Sequence, residues 1–266
     1  MSADASAARG GAVAVHRDGV PAGRAGARAT VQRLIAARVA RHLTAGQVVN
    51  LGIGIPTLVP DCLPDGCSIV LHTENGLLGV GPSPRPDESD PHLVNAGKVP
   101  VTALPGASYF DSALSFAMIR GGHVDVAVLG TLQVDRTGRI ANWAVPGRAV
   151  LGVGGAMDLL AGARRVIIAT THLTWDGRPK LVDGCSYPLT SDRPADLIVT
   201  ERATFAVADG RLVLVETASG TTPQWLARHT AAPFTTPADP PPAGPDPGPG
   251  APSAPARSPA PARGKP

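Results

Sequence analysis

A lone carboxylate at a sharp turn is the first residue in this sequence equipped for chemistry. Glu74 stands in Thr73-Glu74-Asn75-Gly76-Leu77-Leu78-Gly79, just after the apolar run Ser68-Ile69-Val70-Leu71. A strand that stops at a glycine turn can hold a side chain rigidly and still present it to a ligand. Alone, the same pattern also reads as a hairpin turn carrying a solvated Glu. Two further glycine-rich turns add to it. In Asn50-Leu51-Gly52-Ile53-Gly54-Ile55-Pro56-Thr57 a short strand runs into a turn, and Pro56 suits the first turn of a helix whose free N–H groups would favour an anion. The third glycine of a dinucleotide fingerprint is missing. Gly152-Val153-Gly154-Gly155-Ala156 opens another helix and concentrates a second set of backbone N–H groups. A carboxylate with two such displays is an inventory suited to covalent catalysis, in which fixed amides receive an oxyanion.

Composition narrows the classes. The chain has 266 residues, a formal net charge of +3 and only 3% aromatic residues, so the core must be built from Val, Leu, Ile and Ala. Few aromatics argue against base stacking, and the excess Arg lies mostly in the two ends, so no nucleic-acid partner is expected. Cys62, Cys67 and Cys185 have no metal-ligand spacing and suit a reducing compartment as structural thiols, with no metal expected. No apolar stretch approaches the roughly 18 residues of a membrane span, and no secretory signal pattern opens the chain. The expectation is a cytoplasmic protein that does not enter a membrane.

The elements that position these residues alternate between helix and buried strand. Residues 1–29 are small and polar and are expected to be disordered. Val31, Leu34, Ile35, Val39 and Leu43 fall at helical spacing behind Thr30, a plausible N-cap. A strand is expected over Val99–Ala103, a turn at Pro105-Gly106-Ala107-Ser108, and a helix over Asp111–Arg120 with Leu114 and Met118 inward. Further strands are expected at Asp125–Leu129, Val166–Thr170 and Asp196–Thr200. A terminal hairpin turns at Asp209-Gly210, and a short helix covers Gln224–His229. From Pro233 the chain becomes a Pro/Ala-rich tail, so residues 233–266 are expected to be disordered and the folded domain to span 30–232. Helices alternating with buried β-runs predict an α/β fold, an open and mostly parallel sheet flanked by helices.

The motifs taken together resemble the B (β) subunit of 3-oxoacid CoA-transferases. Carrying the resemblance are Asn50-Leu51-Gly52-Ile53-Gly54-Ile55-Pro56-Thr57, Glu74-Asn75-Gly76-Leu77-Leu78-Gly79, Asn95-Ala96-Gly97-Lys98 and Gly154-Gly155-Ala156-Met157-Asp158-Leu159. Phe116 to His123 and Cys185 to Thr190 extend it, and it covers about Val31 to Gly220. It implies the isomerase-like CoA-transferase fold, with Glu74 as the nucleophile that carries CoA as a glutamyl thioester. It implies backbone donors at Gly154 and Gly155, an oxyanion or substrate-positioning role for Asn50, and CoA contacts at Lys98 and Asn75. Coenzyme A enters as substrate, and no cofactor is implied. The donor expected is succinyl-CoA and the acceptor a 3-oxoacid.

Three departures are visible. His72-Thr73 stands where the family usually shows Gln or Leu followed by Ser, Val80 stands where Met is usual, and Trp175 replaces a Lys. The last bears on donor and acceptor preference. The family is built from two homologous halves, so the resemblance also implies a separate A (α) subunit, joined with this chain in an α2β2 assembly. Rival readings are an acyl-CoA hydrolase on the same fold, a non-catalytic partner chain, and a sugar-phosphate isomerase-like protein.

Overall fold

The computed structural model describes residues 22–147 and 152–237. Its centre is a run of short β-branched strands that bury both faces. These are β1 (Val48–Leu51), β2 (Val70–Thr73), β5 (Val126–Leu129), β8 (Arg165–Ala169) and β9 (Leu197–Val199). They lie in the order β9-β8-β5-β1-β2 and pair in parallel throughout. Antiparallel strands extend both sides: β3 (Leu77–Val80) and β4 (Ala103–Tyr109) beyond β2, and β10 (Ala203–Ala208) and β11 (Arg211–Thr217) beyond β9. A last short strand, β12 (Phe234–Thr235), pairs in parallel with β11 and completes ten strands. A separate ribbon of β6 (Gln133–Val134) and β7 (Ile140–Ala141) lies apart from the main sheet. The open, mostly parallel α/β sheet is the fold class read from the sequence.

Alternate residues of a central strand feed opposite cores, as the period of two requires. Val126 and Val128 pack with helix α1 (Ala22–Ala40), whereas Ala127 and Leu129 join the core under α2 (Ser112–Arg120), α3 (Ala156–Gly162) and α4 (Pro223–His229). α1 is tied down by charge as well. The buried Arg38 guanidinium reaches Glu216 at 2.8 Å and the Thr204 hydroxyl at 3.3 Å, and Arg41 reaches the same carboxylate at 2.9 Å. α2 and α3 pack closely, because a Cβ on Gly162 would lie 2.2 Å from the Ile119 carbonyl oxygen. Among the described residues, no helix is long and apolar enough to cross a membrane.

Several expectations need correction. α1 begins at Ala22, so residues 22–29 are helical, and Thr30 is an interior residue whose hydroxyl donates to the Gly26 carbonyl at 3.1 Å. Ala and Arg are strong helix formers, and that propensity prevails over the small-residue composition. After Gly54 the chain makes two short 3-10 turns, Ile55–Leu58 and Pro60–Cys62, instead of an α-helix. Pro105 and Gly106 lie inside β4, which is an edge strand and so tolerates a proline without losing a ladder bond. Val99–Thr102 precedes that strand and contributes a bridge between Val94 and Pro100. Leu114 faces outward at 52% exposure, and the buried face of α2 is Ser115 and Ile119. Finally, the sheet continues past Pro233 into β12. Residues 1–21, 148–151 (including Leu151) and 238–266 lie outside the described residues.

Candidate active site

β2 ends at Thr73, and Glu74 is the first residue of the three-residue turn that joins it to β3, with Thr73 opposite Leu77. Two contacts set this turn. The Gly76 N–H donates to the Thr73 carbonyl at 3.0 Å, and the Phe110 N–H donates to the Gly76 carbonyl at 3.0 Å. Gly76 has φ of 112°, and a Cβ there would sit 2.0 Å from the Phe110 oxygen. Only glycine satisfies both demands. The strand order reverses between β1 and β5, and Glu74 lies at the carboxyl ends of the parallel strands, the edge where open α/β sheets hold their ligands.

Asn50, on the neighbouring β1, is fully buried, and its Nδ2 donates to Glu74 Oε2 at 3.2 Å. The same Nδ2 lies 3.1 Å from His72 Nδ1, and His72 Nε2 lies 3.1 Å from the Ser115 hydroxyl on α2. The His72 ring stacks on Phe110 with centroids 6.0 Å apart. Burial holds the imidazole at about 4, well below its ordinary 6.5, so it is neutral at physiological pH. Two buried polar atoms here, Asn50 Oδ1 and Thr73 Oγ1, have no hydrogen-bond partner among the described residues.

α3 brings the second glycine turn to the carboxylate. Gly155 is its N-cap residue, and a Cβ there would lie 3.3 Å from Glu74 Cγ and 3.4 Å from the Phe116 ring. Gly154, with φ of 59°, is exposed beside it. The structure therefore brings Glu74, Asn50 and Gly155 together.

Lys98 and Asn75 stand further out. Asn75 turns away from Glu74 and donates from Nδ2 to the Val94 carbonyl at 2.8 Å, which tethers the loop that carries Lys98. Lys98 is exposed, with φ of 61°. A Cβ on its neighbour Gly97 would lie 3.6 Å from Ile53, so this loop rests on the Gly52–Gly54 turn.

In the sequence His72 stands out only as a departure from the family pattern, and Ser115 does not stand out at all. The available signal was a Ser on the apolar face of α2, four residues before Ile119.

Across residues 33–224 the sequence matches the family model described as "Coenzyme A transferase". The chain belongs to the coenzyme A transferase family. Within that family it is a CoA-transferase chain of the B (β) type. It is 50% identical over 205 residues to the beta chain of the acetate CoA-transferase of Escherichia coli K12, covering 77% of this chain and 94% of that one. It is 46% identical over 197 residues to the B chain of a probable succinyl-CoA:3-ketoacid coenzyme A transferase of Bacillus subtilis 168, covering 74% and 91%. Among solved structures, the acyl-CoA transferase apoenzyme of Escherichia coli O157:H7 superposes with a TM-score of 0.62 at 22% identity. That match covers 77% of this CoA-transferase chain and 42% of the other, and at this identity it speaks for the fold alone.

This CoA-transferase keeps its three cysteines free, the half-buried Cys62 and Cys185 among them. Burial raises both, and Cys185 reaches about 11. Trp175, the substitution flagged for acid preference, is 94% exposed. His172 is buried and satisfied between the Thr200 and Thr230 hydroxyls, at 3.2 and 2.9 Å.

Proposed function

We propose that this chain moves coenzyme A between carboxylic acids through a covalent thioester on Glu74. One Glu74 oxygen attacks the thioester carbonyl of an acyl-CoA. The C–S bond breaks, the CoA thiolate leaves, and an acyl–glutamyl anhydride remains. The thiolate then attacks the glutamyl Cδ, which expels the donor acid as its carboxylate and leaves glutamyl-CoA. The acceptor acid runs the same steps in reverse and departs as its CoA ester. Each addition creates an oxyanion, and removing one fixed donor to such a charge typically costs about 100- to 1000-fold in rate.

The observation that carries this reading is the grip on Glu74. Its carboxylate takes an N–H from the buried Asn50, and its stem lies against Gly155 at the mouth of α3. Asn50 and the Gly154–Gly155 turn are the donors this reading assigns to the oxyanion. Lys98 and Asn75 belong to the wall along which CoA would lie, Lys98 as a cation for its phosphates and Asn75 by holding the loop. The long CoA tail supplies remote binding energy that can be used at the reacting carbon. The buried neighbours Leu77 and Val80 keep water from a thioester that would otherwise hydrolyse.

The substrates that fit are succinyl-CoA as donor and a 3-oxoacid as acceptor, as the Bacillus relative is named; acetate, from the Escherichia relative's name, is the second acceptor to test. The chain works in the cytoplasm with a separate A (α) subunit, the two forming an α2β2 assembly. The elements around Glu74 carry large exposed apolar side chains, Ile53, Tyr109 on β4, Leu114 on α2 and Met157 on α3, which suit burial by such a partner.

The deciding experiment incubates the A/B complex with succinyl-CoA alone, reduces it with borohydride and maps the product by mass spectrometry. Conversion of Glu74 to its alcohol is expected, and Glu74→Gln should lose transfer entirely while remaining folded. Reduction products elsewhere, or full turnover by Glu74→Gln, would overturn the proposal. Release of free CoA at the same rate without an acceptor acid would show a hydrolase instead.

A further inference from the structure

We propose that His72 is a positioning residue for Glu74, fixing through Asn50 which face of a buried amide meets the nucleophile. The inference rests on the reading of Glu74 as nucleophile and adds a residue to it. One hydrogen-bonded line imposes a series of forced choices. Asn50 Nδ2 lies within reach of both Glu74 Oε2, at 3.2 Å, and His72 Nδ1, at 3.1 Å. An ionised carboxylate accepts only, so the amide must present its NH2 there, and its two hydrogens go one to each neighbour. His72 Nδ1 must then be the bare, accepting nitrogen. The ring proton sits on Nε2 and is donated to the Ser115 hydroxyl at 3.1 Å, and that hydroxyl turns its own hydrogen toward the Thr73 carbonyl at 3.5 Å.

Reversing the amide would set Oδ1 against both the carboxylate and the imidazole lone pair. The present orientation leaves Oδ1 buried and without a donor among the described residues, which carries the cost of an unpaired buried acceptor. The fold tolerates that cost because a charge-assisted bond to Glu74 would be lost in exchange for repulsion. The tautomer of His72 and the orientation of Asn50 therefore depend on each other. An imidazole carrying a proton on Nδ1 would drive the amide to the wrong face.

The surroundings keep the ring in the required state. It is 2% exposed. It faces Asn50 from β1, Ser115 from α2 and the Phe110 ring, none of which titrates. The ionisable group this line of hydrogen bonds reaches is Glu74. Burial then keeps the ring neutral, which leaves Nδ1 free to accept.

The test compares wild type with His72→Phe, His72→Gln and Ser115→Ala in the A/B complex. For each, the rate of Glu74 adduct formation from succinyl-CoA, trapped with borohydride, is read with kcat, KM and thermal midpoint. His72→Phe keeps an aromatic ring but removes the acceptor, and its adduct rate and kcat should fall roughly 10- to 100-fold with KM within about 2-fold, the scale expected for a misplaced reacting group. Gln offers an oxygen to Asn50 and an N–H to Ser115, and should recover to within about 3-fold of wild type. Ser115→Ala, which removes the partner that holds the ring proton, should lose about 3- to 10-fold, and it carries the test if His72→Phe fails to fold. A folded His72→Phe with the wild-type adduct rate, or wild-type rates in Ser115→Ala, would overturn the role of His72 and leave Glu74 untouched. Absence of any Glu74 adduct in wild type would instead remove the reading beneath it.

Discussion

Gly155 occupies a position where any side chain competes with Glu74 for space. Its φ of −80° is ordinary, so alanine there meets no backbone strain. The new methyl would lie 3.3 Å from Glu74 Cγ, and the side chain that must yield is the one proposed to react. Gly155→Ala should therefore cost about 10- to 100-fold in kcat while stability changes by less than about 1 kcal/mol, which steady-state kinetics and urea midpoints would check. Gly76 is the opposite case. Alanine there meets φ of 112° and a carbonyl oxygen at 2.0 Å, so Gly76→Ala should lose about 3 kcal/mol or more of folding stability. The second need was legible, because Asn75-Gly76 after an apolar run announces a turn. The first was legible only as a glycine cluster. Nothing local in Gly154-Gly155 says that α2 and α3 will pack together and press the turn against Glu74.

At the scale of elements, the buried imidazoles make stability depend on acidity. His72 and His172 are each held at about 4 by burial, against 6.5 when unfolded. Between those values the unfolded chain binds protons that the folded chain refuses. Their contribution is intact above pH 6.5 and is lost as pH falls through that window toward 4. Each ring accounts for at most about 1.4 kcal/mol per pH unit. Urea midpoints from pH 7 to 4.5 should decline, and His72→Gln should flatten the slope; an equal slope in both would refute the assignment. The strands that build this environment were readable from their β-branched runs, and Asp209-Gly210 does turn the β10–β11 hairpin, with φ of 51° and 67°. β4 was not readable. Pro105-Gly106 has the local chemistry of a turn, and only its place at the end of the sheet, where no neighbour needs the missing N–H, lets it be a strand.

For the whole molecule, the boundary of the fold matters to anyone shortening the chain. Removing residues 238–266 should leave activity and thermal midpoint nearly unchanged. Cutting after Ala232 also removes Phe234, whose ring meets Phe205 edge-on with centroids 5.4 Å apart in the core beneath β11. That longer deletion should lower stability by about 1–3 kcal/mol, read from the thermal midpoints of the two truncated chains. Composition placed the limit at Pro233 because prolines dominate from there. The short pairing of β12 with β11 is a tertiary event with no signature of its own in two residues.

On the role proposed for Glu74, the hairpin that carries it also couples correct assembly to chemical competence. If β3 slid by one step against β2, Leu77 and Val80 would turn out of their core, Gly76 would leave the one spot its missing side chain fits, and the carboxylate would lose Asn50 in the same movement. A misassembled copy would thus be inert, with no half-formed site left to squander acyl-CoA on water.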